Sequence, residues 1–406
     1  MLKIFFISAG SCLFMSCATN NGATTLPTTT TDSVGAPVET RSANTNYQPA
    51  FAGQTRIGSM RTSRPFSGKV IASGLSRPWA VTSLPDGRLL INQKEGTMRI
   101  ANTEGALSAP ITGLPAVNAA GQGGLLDILV DPQFATNRTL YWTFSENTPD
   151  GNLTSVAKGT LSADEQRIEN ATVIYRALPA YRGNLHYGSR ILMDASGNLL
   201  VSTGERSDLA TRPQAQMLNS ANGKIVRITK DGQPAAGNPF TGQASARPEI
   251  YSYGHRNTQG LAIHPTTGEL WNSEMGPRGG DEINLIQAGK NYGWPDITYG
   301  IEYGGGKIGT TQQAGMEQPV YYWDPVLSPS GMTFYSGNAI PEWNNNLFIA
   351  GLNSKHIARI ILRNNKVVGE ERILANEGQR FRDVAMGNDG YLYAITDEGR
   401  LYKIGP

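Results

Sequence analysis

At 406 residues, with 47 glycines and 23 prolines but only 17% charged residues, the chain has the composition of a turn-rich β protein, not a helical one. Lys and Arg number 35 against 33 Asp and Glu, a formal net charge of +2 with no basic stripe, which argues against a nucleic-acid partner. Both cysteines, Cys12 and Cys17, fall in the first 17 residues, so the folded part has no disulfide and no thiol chemistry.

The first 17 residues read as an export signal. Lys3 gives a positive start, and Ile4 to Met15 form an apolar run too short to span a bilayer. Ser16-Cys17 after that run fits a loose lipoprotein cleavage site; an ordinary signal peptide cut nearby is the alternative. A lipid on Cys17 would be the chain's only membrane attachment, in the periplasm or on a membrane of a bacterial envelope. Residues 18–64, typified by TTLPTTTTDS, have too little apolar surface to offset ordering entropy, and predict a flexible Thr/Ser/Pro-rich tether. Residues 65–406 form the remaining domain.

In that domain one pattern recurs: a turn rich in Asp, Asn or Gly leads into a short apolar β run. Counted from Leu89, Leu140, Leu199, Leu270, Leu347 and Leu392, the intervals are 51, 59, 71, 77 and 45 residues. Six copies at blade-like spacing predict an all-β, six-bladed β-propeller, with five or seven blades as alternatives. A strand near Lys69 to Ala72 is placed to pair with the C-terminal YLYAITDEGRLYKI and close the ring. A propeller gathers loops from every blade at one mouth, so polar residues far apart in sequence can converge there.

Several loop residues are candidates for such a site. His186, in RGNLHYGSR, precedes a blade strand and can act as a base near neutral pH; a loop histidine without a role is the plain alternative. Arg256 and Asn257 offer donors to a developing oxyanion or, equally, to an inter-blade hydrogen-bond network. Arg380 and Arg382, two apart on one strand, share a face and need an anion or a carboxylate between them, with Asp383 opposite. Gln122 lies among glycines that would let the backbone approach a ligand. EMGPRGGDEINLI carries hard oxygen donors, Glu274, Asp281, Glu282 and turn carbonyls, which suit Ca²⁺ better than zinc. His264 and His356 read as structural, the latter in a surface-like strand, and no nicotinamide, ATP or familiar hydrolase signature is present.

The ordered set GLSRPWAVTSLPDG, GQGGLLDILVDPQF, YGHRNTQGLAIHP, GPRGGDEINLIQAGKNYGWP, SGMTFYSG and RFRDVAMGNDGYLYAITDE resembles the soluble glucose/sorbosone dehydrogenase family. Within it the chain is most similar to periplasmic aldose sugar dehydrogenases that use pyrroloquinoline quinone (PQQ). The resemblance implies a six-bladed propeller that oxidises aldoses to lactones and passes electrons to an external acceptor. It implies that His186 is the catalytic base and that Gln122, Arg256 and Asn257 lie beside PQQ, with Arg256 stabilising the reduced quinone oxygen. Arg380 and Arg382 would face the PQQ carboxylates, and Tyr303 would line the same site. Gly276 and Pro277 would hold Ca²⁺ through their carbonyls, with Glu282 and Tyr292 as further ligands.

The chain departs from the family's glucose dehydrogenases in places. Leu185 replaces an Asp that precedes their catalytic His, leaving Asn184 to reach the imidazole. A lysine aimed at PQQ falls on Asn353, with Lys355 two residues on. The loops are shorter, which points away from narrow glucose specificity and toward a monomer. A non-catalytic propeller that binds sugars or a protein partner is the alternative; a propeller hydrolase would need acidic metal ligands from several blades, and only one acidic cluster is present.

Overall fold

The computed structural model describes residues 34–406; the expected signal segment, Cys17 and the first part of the expected tether lie outside them. The described chain is a six-bladed β-propeller, as the repeats predict, with one short helix, Phe134–Asn137. Blade 1 is the three-stranded sheet Pro78–Ser83, Leu89–Gln93 and Thr97–Ala101; the others have four strands each. Their innermost strands are Leu125–Val130, Gly188–Met193, Thr258–Ile263, Pro329–Phe334 and Phe381–Met386, and each packs on its neighbours around the axis. Ser67–Ala72 supplies the outermost strand of blade 6 and pairs antiparallel with Leu401–Gly405, with Lys69 opposite Lys403. The ring is closed by its own two ends, and this removes two edges.

The repeated leucines all sit at the start of the second strand of a blade and are buried. Two residues before each one, the chain turns through a left-handed residue: Gly87, Arg138, Gly197, Gly268, Asn345 and Gly390, with φ of 88°, 51°, 78°, 73°, 62° and 82°. Four of the six are glycine and one is asparagine, the residues that reach this region at least cost. The turn residue therefore sets where each hairpin reverses, and the leucine after it drops into the layer between blades.

One side chain ties the inner strands together. Arg190, on the inner strand of blade 3, is buried at the axis. Its Nη1 lies 3.1 Å from Asp127 of blade 2 and 3.2 Å from Asp383 of blade 6. Its Nε donates to the Gln259 carbonyl of blade 4 at 2.6 Å, and the guanidinium lies 4.2 Å from the Trp79 ring centroid of blade 1. Asp127 also accepts from Ile191 N–H at 2.8 Å, and Asp383 from Val81 N–H at 2.9 Å. Blade 5 contributes Gly331, where any Cβ would overlap the Asp383 carboxylate.

Residues 34–64 differ from the flexible tether expected of them. They run as a strap over the outside of blades 4 and 5. Gln54 is fully buried, donating to Pro319 O at 2.9 Å and accepting from Ala50 N–H at 2.7 Å. Asn44 and Thr45 N–H donate to the Asp324 carboxylate at 2.8 and 3.2 Å, and Thr62 Oγ1 to Glu371 at 2.6 Å. The composition reads as a tether because it lacks apolar area. The strap does not need that area, because its polar groups meet fixed partners on the propeller.

Arg190→Met is expected to destabilise the domain by about 3–5 kcal/mol, since it strands two buried carboxylates. Adding Asp127→Asn should recover part of that loss, measured by urea unfolding of both variants. Additive losses would contradict a shared network.

Candidate functional site

A cavity of about 240 Å³ opens at the end of the propeller where inner strands begin and second strands end. Of the expected residues it brings together Gln122, Asn257, Arg380 and Arg382; Lys94 and Trp79 of blade 1 also line it.

His186 adjoins the lining without being part of it: it is bonded to Gln122 and directly precedes the lining residues Tyr187 and Gly188, in a left-handed conformation with φ 48°. Its N–H donates to Gln122 Oε1 at 2.8 Å, and its Nδ1 lies 2.7 Å from Glu205 Oε1. Glu205 is buried, follows the second strand of blade 3, and also accepts from Ser207 N–H at 3.1 Å. The next residue, Arg206, grips the loop that carries His186: it donates to the carbonyls of Leu185 and Asn152 at 3.1 and 2.8 Å and lies 4.1 Å from the Tyr187 ring centroid. Burial, with the positive charges of Arg256 and Arg206, outweighs the pull of Glu205 and lowers the His186 pKa to about 4. The imidazole is therefore neutral near pH 7. A carboxylate can only accept, so the Nδ1 proton points at Glu205 and Nε2 keeps its lone pair.

This corrects one expectation. Asn184 does not reach the imidazole; its carbonyl accepts from Gln122 N–H at 2.8 Å, and Leu185 is largely exposed. The orienting carboxylate is Glu205, 19 residues downstream. It stands two residues past the end of a repeat strand, in STGERSD, and that placement was its only signal.

Arg256 is buried beside the cavity. Its Nη1 donates to the carbonyls of Met275 and Gly276 at 2.9 and 2.7 Å, while its Nε is buried without a partner. Asn257 Oδ1 accepts from Gly188 N–H at 3.1 Å and so ties blade 4 to the strand after His186. The Gly276-Pro277 turn is held from inside: Gly276 N–H donates to Asp281 Oδ1 at 2.9 Å, and Asp281 Oδ2 accepts from Leu327 and Ser328 N–H at 2.8 and 2.7 Å.

A second space, of about 10 Å³, is bounded by Arg256, Glu274, Gly276, Glu282 and Tyr292. Glu274 and Glu282 face each other in register on adjacent strands. Burial, then the Glu274 and Asp281 carboxylates, push the Glu282 pKa well up, and Glu282 has no ion pair among the described residues. Glu274 is met by His255 Nδ1 at 3.2 Å and Thr258 Oγ1 at 3.0 Å, so the carboxylate without a charged partner is Glu282, and beside main-chain carbonyls it suits a hard divalent cation. No group of three His, Cys, Asp or Glu side chains converges on one point among the described residues, so such an ion would need those carbonyls. The Tyr292 hydroxyl is already committed to Leu285 O at 2.7 Å and Gln287 N–H at 2.8 Å, which leaves its carbonyl as the available donor.

On the far wall both arginines lean on one carboxylate. Arg380 Nε donates to Asp397 Oδ2 at 2.9 Å and Arg382 Nε to Oδ1 at 2.8 Å. The carboxylate expected between them is thus Asp397, and Asp383 lies on the opposite face, at the axis. With Lys94, three cations face the cavity against one anion, and this fits an anionic ligand.

Two expected residues stay out of the cavity lining. Tyr303 is 71% exposed on a loop joined to blade 3 by the Glu302–Arg212 ion pair. Asn353 is exposed just beyond the lining residue Leu352. Of the remaining histidines, His264 packs on Phe334 and accepts two turn N–H groups, and His356 is buried, not on the surface as its strand suggested.

The glucose/sorbosone dehydrogenase family model matches residues 75–403. The aldose sugar dehydrogenase of Escherichia coli K12 is 43% identical over 345 residues, 83% of this chain and 92% of that protein. The crystal structure of the soluble Escherichia coli aldose sugar dehydrogenase in its apo form aligns with TM-score 0.81 at 42% identity, over 84% of this chain and all of that one. The PQQ-bound aldose sugar dehydrogenase of Streptomyces coelicolor aligns with TM-score 0.70 at 30% identity, over 85% of this chain and 99% of that one.

The low pKa of His186 has a thermodynamic consequence. Between the ordinary histidine value of 6.5 and about 4, the unfolded chain binds a proton that the folded chain refuses. Stability therefore falls as pH drops through that window, by about 3 kcal/mol for this group when complete. His186→Asn should show a shallower acid slope in urea unfolding between pH 6.5 and 4; parallel profiles would contradict the assignment.

Proposed function

Because the chain belongs to the glucose/sorbosone dehydrogenase family, we propose that it is an aldose sugar dehydrogenase that works with PQQ and Ca²⁺. The observation that carries this reading is a buried, neutral His186, oriented by Glu205, next to the lining residues Gln122 and Tyr187 of a cavity with an excess of positive charge.

When bound, PQQ supplies an electrophilic quinone that takes up the hydride from the sugar's anomeric carbon. The protein's residues do the rest. His186 Nε2 accepts the proton of the anomeric hydroxyl, and Glu205 balances the charge that then forms on the imidazole. Arg256 would offer its unpaired Nε and its guanidinium charge to negative charge on a bound quinone. Gln122 fixes the His186 main chain and Asn257 the neighbouring Gly188, so the base and the cofactor face share one rigid frame. Arg380 and Arg382 would hold the cofactor carboxylates. The carbonyls of Gly276 and Pro277 would hold Ca²⁺, with Glu282 and the Tyr292 carbonyl as further ligands.

Loss of hydride from C1 and of the proton from its hydroxyl leaves a lactone, and two electrons pass to an external acceptor such as a quinone, a cytochrome or a dye. The signal-like first 17 residues and Cys17 support an exported enzyme, free in the periplasm or lipid-anchored to the envelope. We read it as a monomer of broad sugar range.

The test is reconstitution of the purified full chain with PQQ and Ca²⁺, following dye reduction over a panel of aldoses. Activity that needs both additions is expected, with lactone as product. Failure to bind PQQ would favour the non-catalytic propeller.

A further inference from the structure

Blade 1 presents the residue directly after its second strand, Lys94, to the cavity, as blade 4 presents Met275. Its main chain is fixed at both ends: Lys94 N–H donates to Arg77 O at 3.1 Å, and its carbonyl accepts from Leu125 N–H at 2.9 Å. The stem passes Gly124, where a Cβ would overlap the Lys94 Cγ and carbonyl. The ammonium reaches Gly121 O, one residue from Gln122. Among the described residues no carboxylate pairs with it: its neighbour Glu95 is taken by Arg77, and Asp397 by the two arginines. Burial and the nearby charges of Arg77 and Arg382 lower its pKa, as expected of a cation placed among cations. The loop after the second strand of blade 5 offers nothing comparable, since Asn353 is uncharged and both it and Lys355 are exposed outside the lining.

We propose that Lys94 is a ligand-binding residue of this site, donating to a carboxylate of the bound cofactor from blade 1 and completing with Arg380 and Arg382 a three-cation cradle. The inference rests on the PQQ reading above. In this chain the third cation comes from the blade next to the arginine pair, not from position 353. Its bond to Gly121 also means that the cofactor's charge and the turn bearing Gln122 meet at one ammonium.

The test is PQQ titration of the Ca²⁺-saturated full-length protein, followed by quenching of tryptophan fluorescence (Trp79 lines the cavity), from 50 to 500 mM NaCl. Lys94→Gln should raise the Kd about ten- to a hundredfold, as loss of a charge-assisted hydrogen bond does. It should also flatten the dependence of Kd on salt. Lys94→Arg should stay close to wild type, and Lys366→Gln, the same charge change on the exposed edge of blade 5, should leave the titration unmoved. An unchanged Kd in Lys94→Gln would overturn the proposal. So would a raised Kd that keeps the wild-type salt dependence and comes with a lower Tm of the cofactor-free protein, since Lys94 would then only brace the Gly121 turn. Absence of PQQ binding by the wild type would sink the underlying reading together with this one.

Discussion

One guanidinium at the axis is the constraint on which the rest of this propeller depends. Arg190 takes its partners from blades 1, 2, 4 and 6, and glycine on blade 5 leaves room for the cluster. Removed from water, a guanidinium and two carboxylates are tolerable only if nearly every donor and acceptor is met, and here main-chain groups of neighbouring blades meet them. Burial still raises the pKa of Asp127 and lifts that of Asp383 to about 6, so the cluster is held together by geometry under electrostatic cost. Its return is register. Arg190 is two residues from Gly188, Asp127 one from Leu126 and Asp383 one from Arg382, so the bond network that joins the blades also sets the heights of residues lining the cavity.

The mouth above that cluster is built the opposite way, with charges and conformations left unresolved. His186, Ser189, Arg206 and Ser207 all have positive φ, of 48°, 91°, 76° and 62°. None is glycine, and the cost of such a cluster persists only where surroundings over-determine it. The surroundings are Arg206 and Glu205, which between them hold the loop and the imidazole. Two of the three cations at the wall share one carboxylate, Lys94 reaches only a main-chain carbonyl, and Arg256 keeps a buried Nε unpaired. The unmatched charge beside the cavity asks for a ligand that supplies negative charge.

How much of this was legible in the sequence follows from range. The blade count was, because a left-handed residue two before a buried leucine is a local requirement that repeats six times. Ring closure was, because Lys69 to Ala72 has no other edge to pair with. Arg380 and Arg382 were legible from period two on a single strand. Glu205, Lys94 and Arg190 were not: each acts on a partner in another stretch of chain, and a lone Glu, Lys or Arg after or within a strand carries no local mark. The strap over residues 34–64 was misread because composition measures what a segment can bury by itself, whereas Gln54, Asn44 and Thr62 are held by partners more than 250 residues away.

The account stands most directly on His186 as the proton acceptor in an intact cofactor site. The measurement is a paired one on His186→Ala loaded with Ca²⁺: the Kd for PQQ, and the single-turnover rate of PQQ reduction by an aldose. A Kd near wild type with the rate down by about 10²–10⁴ is the predicted result. Reduction at the wild-type rate would contradict it, and the neutral, Glu205-oriented imidazole would then be a structural histidine beside a site that works without it.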